Sequence, residues 1–154
     1  MKKTVKTSEI LKVYNIIGSA KYGKMTDDDK VKVWKIARKL KPVATKFEEA
    51  SKDAAEKMKP EGDFDNKLQK AQEYERLRQK GEPTIDVMTT ADYNEFIKVF
   101  KDYQKLIDKA IGDLADKEVK VDFDPINEEA FGKLMASNDW TMEQVATLGE
   151  FICE

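Results

Sequence analysis

"GSAKYGKM", Gly18–Met25, is the stretch on which the fold turns. It reads Gly-x-x-x-x-Gly-Lys, the opening of a phosphate-gripping loop. Such a loop needs a buried parallel strand before it and a helix with bare N–H groups after it, which would make the chain an α/β protein. The other reading is a helix end, a loop and the start of a second helix. Three features favour the second. Met25 stands where a magnesium-binding hydroxyl is needed, and Thr26 comes one residue late. Asp27, Asp28 and Asp29 occupy the helix N-terminus where the phosphates would lie, so they repel an anion and already use the helix dipole. Val13, Tyr14, Ile16 and Ile17 upstream fit a helical face as well as a strand, and no alternating strand–helix series follows to build a sheet. No nucleotide site, and no cofactor of any kind, is expected.

Moving outward, Thr7 or Ser8 is placed to cap a first helix whose apolar side is Ile10, Leu11, Val13, Tyr14, Ile16 and Ile17, with Gly18 as its stop. Downstream, Thr26 with Asp29 forms an acidic variant of the capping box. Val33, Ala37, Leu40, Ala44, Phe47, Ser51, Ala54 and Met58 then recur in steps of four and three, a coiled-coil-like seam. Pro42 is expected to kink or split this helix near Lys39–Lys41, and Pro60 and Gly62 to end it. Asp63 or Asp65 starts a weaker helix running to Lys80, closed by Gly81 and Pro83. Thr89 with Asp92 starts another long one, with a seam of Tyr93, Phe96, Phe100, Tyr103, Ile107, Ala110 and Leu114.

Two stretches alternate as strands do. "TIDVMTT", Thr84–Thr90, is β-branched, and "EVKVDFD", Glu118–Asp124, sets Val119, Val121 and Phe123 against charged residues. They are expected to pair in a minimal ribbon, with the N-terminal "KKTVKT" as a further candidate strand. Two short helices follow, Asn127–Ser137 and one capped by Thr141 with Gln144, and Trp140 anchors their packing. The expectation is a mainly α single domain, residues 1–154. Its spine is a long antiparallel helical hairpin, about Asp27–Lys59 against Ala91–Leu114, with a small two-stranded β ribbon and short C-terminal helices.

Composition limits function. The 154 residues suit one core, and 38% charged with 40% apolar residues is a folding rather than a disordered balance. No apolar run approaches the roughly 20 residues of a membrane span. "MKKTVKTSEILKVYNIIG" briefly resembles a signal peptide, but Lys12 and Asn15 interrupt it, so it reads as a helix and a cytoplasmic location is expected. The one cysteine, Cys153, excludes an internal disulfide. The absence of histidine removes Ser-His and Cys-His nucleophile pairs and His-ligated metals. Carboxylates, lysines, tyrosines and bound magnesium remain for catalysis, and they form no convergent set.

Weaker candidates each have a plainer reading. Asp122 and Asp124 share a strand face and are a conceivable metal pair, but they read better as the solvent face opposite Val121 and Phe123. Asp63 and Asp65 in "GDFDN" lack the glycine and glutamate spacing of a calcium loop and read as helix caps. Tyr93, Phe96, Phe100 and Tyr103 read as core rather than a ligand pocket, and Cys153 as a packing residue. Lys32, Lys35, Lys39 and Lys46 line one side of the long helix, with Arg38 and Lys41 nearby. They are the candidate nucleic-acid contacts, though no aromatic residues interleave with them. Residues 1–59 carry 16 Lys and Arg against 8 Asp and Glu, and residues 60–154 carry 12 against 22. Internal complementarity is the preferred reading of that asymmetry, ahead of an external polyanion.

The loop "GSAKYGK", the Lys-rich helix "KVKVWKIARKLKPVATKFEEA" and the acidic ending "KVDFDPINEEAFGKLMASNDW" together resemble small uncharacterised helical proteins encoded in bacterial phages and prophages. The resemblance implies a mobile-element context and an assembly or accessory role, and transfers no site residue. The expected function is therefore a non-enzymatic protein–protein interaction or assembly module with no catalytic, cofactor or metal residues. Its protein partner is unspecified, and the two seams also allow a homodimer. The alternative is a nucleic-acid-binding accessory protein using the basic helix face.

Overall fold

Thr26 accepts from the Asp29 N–H at 3.2 Å and opens the long helix as its sequence foretells. In the computed structural model, which describes residues 1–154, the chain runs β1 (Lys2–Lys6), α1 (Thr7–Ser19), α2 (Asp27–Lys57), α3 (Phe64–Gln79), α4 (Thr90–Asp116), β2 (Glu118–Asp122), α5 (Glu128–Ala136) and α6 (Met142–Ile152). This is a mainly α fold with one two-stranded sheet. No helix is long and apolar enough to cross a membrane. The chain forms two compact units, Met1–Ala50 with Asp113–Glu154, and Ser51–Gly112.

The first unit is built on an antiparallel ribbon in which β1 pairs with β2, Lys2 opposite Asp122 and Lys6 opposite Glu118. These outward pairs set opposite charges across the strands. Val5 opposite Val119, and Val121, turn toward the core. The expected partner of β2, Thr84–Thr90, is not a strand. The Thr84 carbonyl accepts from the Val87 and Met88 N–H groups at 3.0 and 3.2 Å, and Thr89 Oγ1 caps α4 by accepting from the Asp92 N–H at 3.1 Å. Ile85 is left 75% exposed, so the alternation there buries no face. Turn and cap chemistry outweighs β propensity in that stretch.

The core of this unit joins Ile10, Val13 and Ile17 of α1, Val33, Ile36 and Leu40 of α2, and Leu148, Phe151 and Ile152 of α6. Between them lie Phe123, Ile126, Ala130 and Leu134. Phe123 stacks on Phe151 with ring centroids 5.5 Å apart. Asn127 caps α5 by accepting from the Ala130 N–H at 2.8 Å, and Thr141 with Gln144 forms the expected capping box of α6. Gly149 packs closely on Phe131, and a Cβ there would stand 3.0 Å from Phe131 Cε1. Gly18 does not end α1 as expected. It lies inside the helix, Ser19 is the last helical residue, and Ala20 takes the cap position in an extended conformation. Pro42 is exposed, and α2 continues through it without a break.

In the second unit Phe64 meets Phe96 and Tyr103 of α4, with centroids 5.6 and 5.0 Å away. Tyr74 stacks on Tyr93 at 4.1 Å, and the Tyr103 hydroxyl donates to the Ala55 carbonyl at 2.7 Å. Gly81, at φ +70°, closes α3: its N–H donates to Arg78 O and the Glu82 N–H to Leu77 O, a Schellman ending. The two long seams are divided between the two cores, and α4 reaches α2 through the Tyr103 bond to Ala55. Phe96 and Tyr103 of α4 are covered by α3, whereas Val33 and Leu40 of α2 belong to the core of the first unit.

Candidate interaction surface

The Gly18–Met25 stretch resolves into a helix end and a loop whose donors are taken. The Lys21 N–H donates to Asn138 Oδ1 at 2.7 Å, and Asn138 Nδ2 returns a bond to Lys21 O at 2.8 Å. The Lys24 N–H donates to Ser137 Oγ at 3.0 Å and the Met25 N–H to Tyr22 O at 3.0 Å. Met25 itself is 5% exposed and part of the core. The backbone groups that would cradle a phosphate hold the α5–α6 connection instead.

This loop forms one wall of an open cleft of about 720 Å³ in the first unit. Tyr14, Asn15, Ile17, Gly18 and Ser19 from α1 line it, as do Tyr22 and Gly23 from the loop and Lys30, Trp34 and Ala37 from α2. Trp34 stands 56% exposed, with the Arg38 guanidinium 5.2 Å from its ring centroid. Val31, one turn back, is also exposed. The Tyr22 hydroxyl is committed to the Ile17 carbonyl at 2.7 Å, and burial raises its pKa above the ordinary tyrosine value. Lys30 lies 3.5 Å from Asp27. The cleft thus offers an aromatic contact surface with a cationic edge. The seam on α2 drew attention to the buried side of that helix and away from Trp34. The signal that marks Trp34 in the sequence is a tryptophan off the seam, flanked by Val33 and Lys35.

A second groove, of about 800 Å³, brings Lys32, Lys35, Arg38 and Lys39 of α2 beside Asp122, Asp124 and Pro125. Three of the four candidate nucleic-acid lysines converge there, while Lys46 lies two turns further along α2, outside it. Both aspartates are exposed and share the groove with four cations. The conceivable Asp122–Asp124 metal pair therefore faces lysines, and no cluster of three or more Cys, Asp or Glu is arranged to hold a metal. Asp63 accepts from the Asn66 side chain and Asp65 pairs with Lys59 at 3.3 Å, so "GDFDN" serves the start of α3. Cys153 is half-buried beside the Ile126 backbone, and burial, then Glu128, pushes its thiol pKa upward.

Charge follows the same division. Met1–Ala50 carries 13 Lys and Arg against 6 Asp and Glu, and Asp113–Glu154 carries 3 against 11. Folded together they leave the first unit at −1. Ser51–Gly112, with 12 against 13, is also at −1. The opposite charges of the two sequence halves are largely brought together within the first unit. No family model, curated protein or solved structure matches the chain.

Proposed function

We propose that this protein is a non-enzymatic protein–protein interaction or assembly module and that the Trp34 cleft is its contact surface. The observation that supports this reading most is the exposure of Trp34 beside Tyr14 and Tyr22, on a helix that buries Val33, Ile36 and Leu40. Tryptophan, tyrosine and arginine are the residues that dominate protein contact energies, and here they are adjacent. The polar groups of the cleft are partly committed, Tyr22 to a carbonyl and Lys30 toward Asp27, which suits contact better than chemistry. The resemblance to phage and prophage proteins makes a mobile-element accessory role part of the proposal. Site-specific photo-crosslinking from position 34 in cells of the source organism tests it. A discrete protein adduct from position 34, absent when the crosslinker is moved to the more open position 85, is expected. No adduct from 34, or the same adducts from both positions, would dismiss the reading.

A second reading, nucleic-acid binding, draws on the convergence of Lys32, Lys35 and Lys39 in one groove. Asp122 and Asp124 in that groove oppose it, because carboxylates repel the phosphate backbone that the lysines would track. Retention on a nucleic-acid column that falls steeply with added salt would favour this reading. Passage without retention at low salt would remove it.

A further inference from the structure

We propose that the Trp34 cleft receives an acidic amphipathic helix of a partner protein, apolar anchors against Tyr14 and Trp34 and carboxylates toward Lys30, Arg38 and Lys41. This rests on the interaction reading above and names the chemistry of the occupant. The first argument is charge. From Lys30 to Phe47, α2 carries seven Lys and Arg and no Asp or Glu. Lys32, Lys35 and Lys39 share the second groove with Asp122 and Asp124, so carboxylates of the chain already stand on that side of the helix. Lys30, Arg38 and Lys41 lie with Trp34 along the other side of the helix, at the spacing of successive turns. Lys30 has Asp27 beside it, itself almost fully exposed, and Arg38, which lies over the Trp34 ring, also borders the second groove with its two aspartates. Lys21 and Lys24 flank the lining residues Tyr22 and Gly23 and add two more exposed cations, while no carboxylate lines the cleft. An occupant that completes this surface brings negative charge.

The second argument is shape. The α2 wall from Lys30 to Ala37 spans roughly 10 Å at about 1.5 Å per residue, two helical turns. That matches a helix presenting anchors at positions i, i+3 or i+4, and i+7. The opposite wall permits close approach. Gly18 and Gly23 line it, and a Cβ at either would meet nothing within 4 Å. Neither glycine has a positive φ, so backbone conformation does not require glycine at these positions. A bare backbone there lets a second helix come near.

The test uses the full chain and fluorescence anisotropy of two labelled synthetic peptides about four helical turns long. Both carry leucine at the anchor positions; one has glutamate at the remaining positions and the other lysine. Saturable binding of the glutamate peptide is expected, weakening as NaCl rises from about 50 to about 300 mM. Trp34→Ala and Arg38→Glu should each weaken it roughly tenfold or more while still unfolding cooperatively within a few degrees of the parent. Equal or tighter binding of the lysine peptide would overturn the acidic occupant yet leave the interaction reading, which stands on the position 34 adduct. Saturable binding that Trp34→Ala leaves unchanged would overturn the site, and no binding of either peptide would overturn the proposal. Concentration-dependent self-association that Trp34→Ala abolishes would also overturn it, making the occupant a second copy of this chain.

Discussion

Thr7 gives both its backbone N–H and its hydroxyl to the carbonyl oxygen of Lys117, each at 2.9 Å. One acceptor thus ties the junction of β1 and α1 to the residue that precedes β2, and the hydroxyl is buried, Thr7 being 5% exposed. The sequence offers Thr7 as a helix cap, yet Lys6 holds the cap position without a side-chain bond. The hydroxyl's work is tertiary.

Thr7→Val, close in shape, removes only the hydroxyl bond and leaves the backbone bond to Lys117. A loss of about 1 kcal/mol in denaturant unfolding is expected, and Thr7→Ser should recover most of it. A valine variant as stable as the parent would show that the second bond contributes nothing.

Glycines 149 and 18 should respond in opposite directions to the same substitution. Gly149→Ala drives a methyl to 3.0 Å from the Phe131 ring, with an expected cost of about 1–3 kcal/mol despite better helix propensity. Gly18→Ala meets no neighbour inside a helix and should gain up to about 1 kcal/mol. Melting temperatures of the pair decide this, and a shift in the same direction for both would contradict the packing described.

Adding magnesium with ATP should leave the melting temperature where it is, because the Lys21 and Lys24 N–H groups are held by Asn138 and Ser137. Ligand that binds the native state raises that temperature by mass action, so a rise that grows with ATP concentration would reopen the nucleotide reading.

Burial, then Glu128, raises the Cys153 pKa in the folded chain. The folded state therefore holds the thiol proton to higher pH than the unfolded state does. The associated stability is present below the unfolded thiol pKa and is lost as pH rises through the folded one. Alkylation of Cys153 followed against pH should show a midpoint above that of the same chain in denaturant. A midpoint at or below the denatured value would refute the burial argument.

Much of this fold is legible in the residues, for physical reasons that can be named. Capping is local chemistry, so Thr26–Asp29 and Thr141–Gln144 could be read from spacing alone. Periodicity marks which residues of a helix are buried, and Phe96 and Tyr103 are, but it does not say against what. The cover over α4 comes from α3, a helix with a weak apolar stripe in which Phe64, Ala71 and Tyr74 carry the packing. The ribbon went astray because Thr84–Thr90 has strand composition while its carbonyls and hydroxyls are used by a turn and a cap. Of the site, the lysines of α2 were visible, but the aspartates opposing three of them were brought there by tertiary folding. Trp34 was the least visible, because exposure is decided by what fails to cover a residue.

Comparing Trp34→Ala with Leu40→Ala in equilibrium unfolding tests most directly whether Trp34 serves contact rather than folding. Leu40 is fully buried and its truncation should cost about 2–5 kcal/mol, whereas Trp34 is 56% exposed and its loss should cost about 1 kcal/mol or less. A tryptophan truncation as costly as the leucine one would make Trp34 a core residue and contradict the proposed surface.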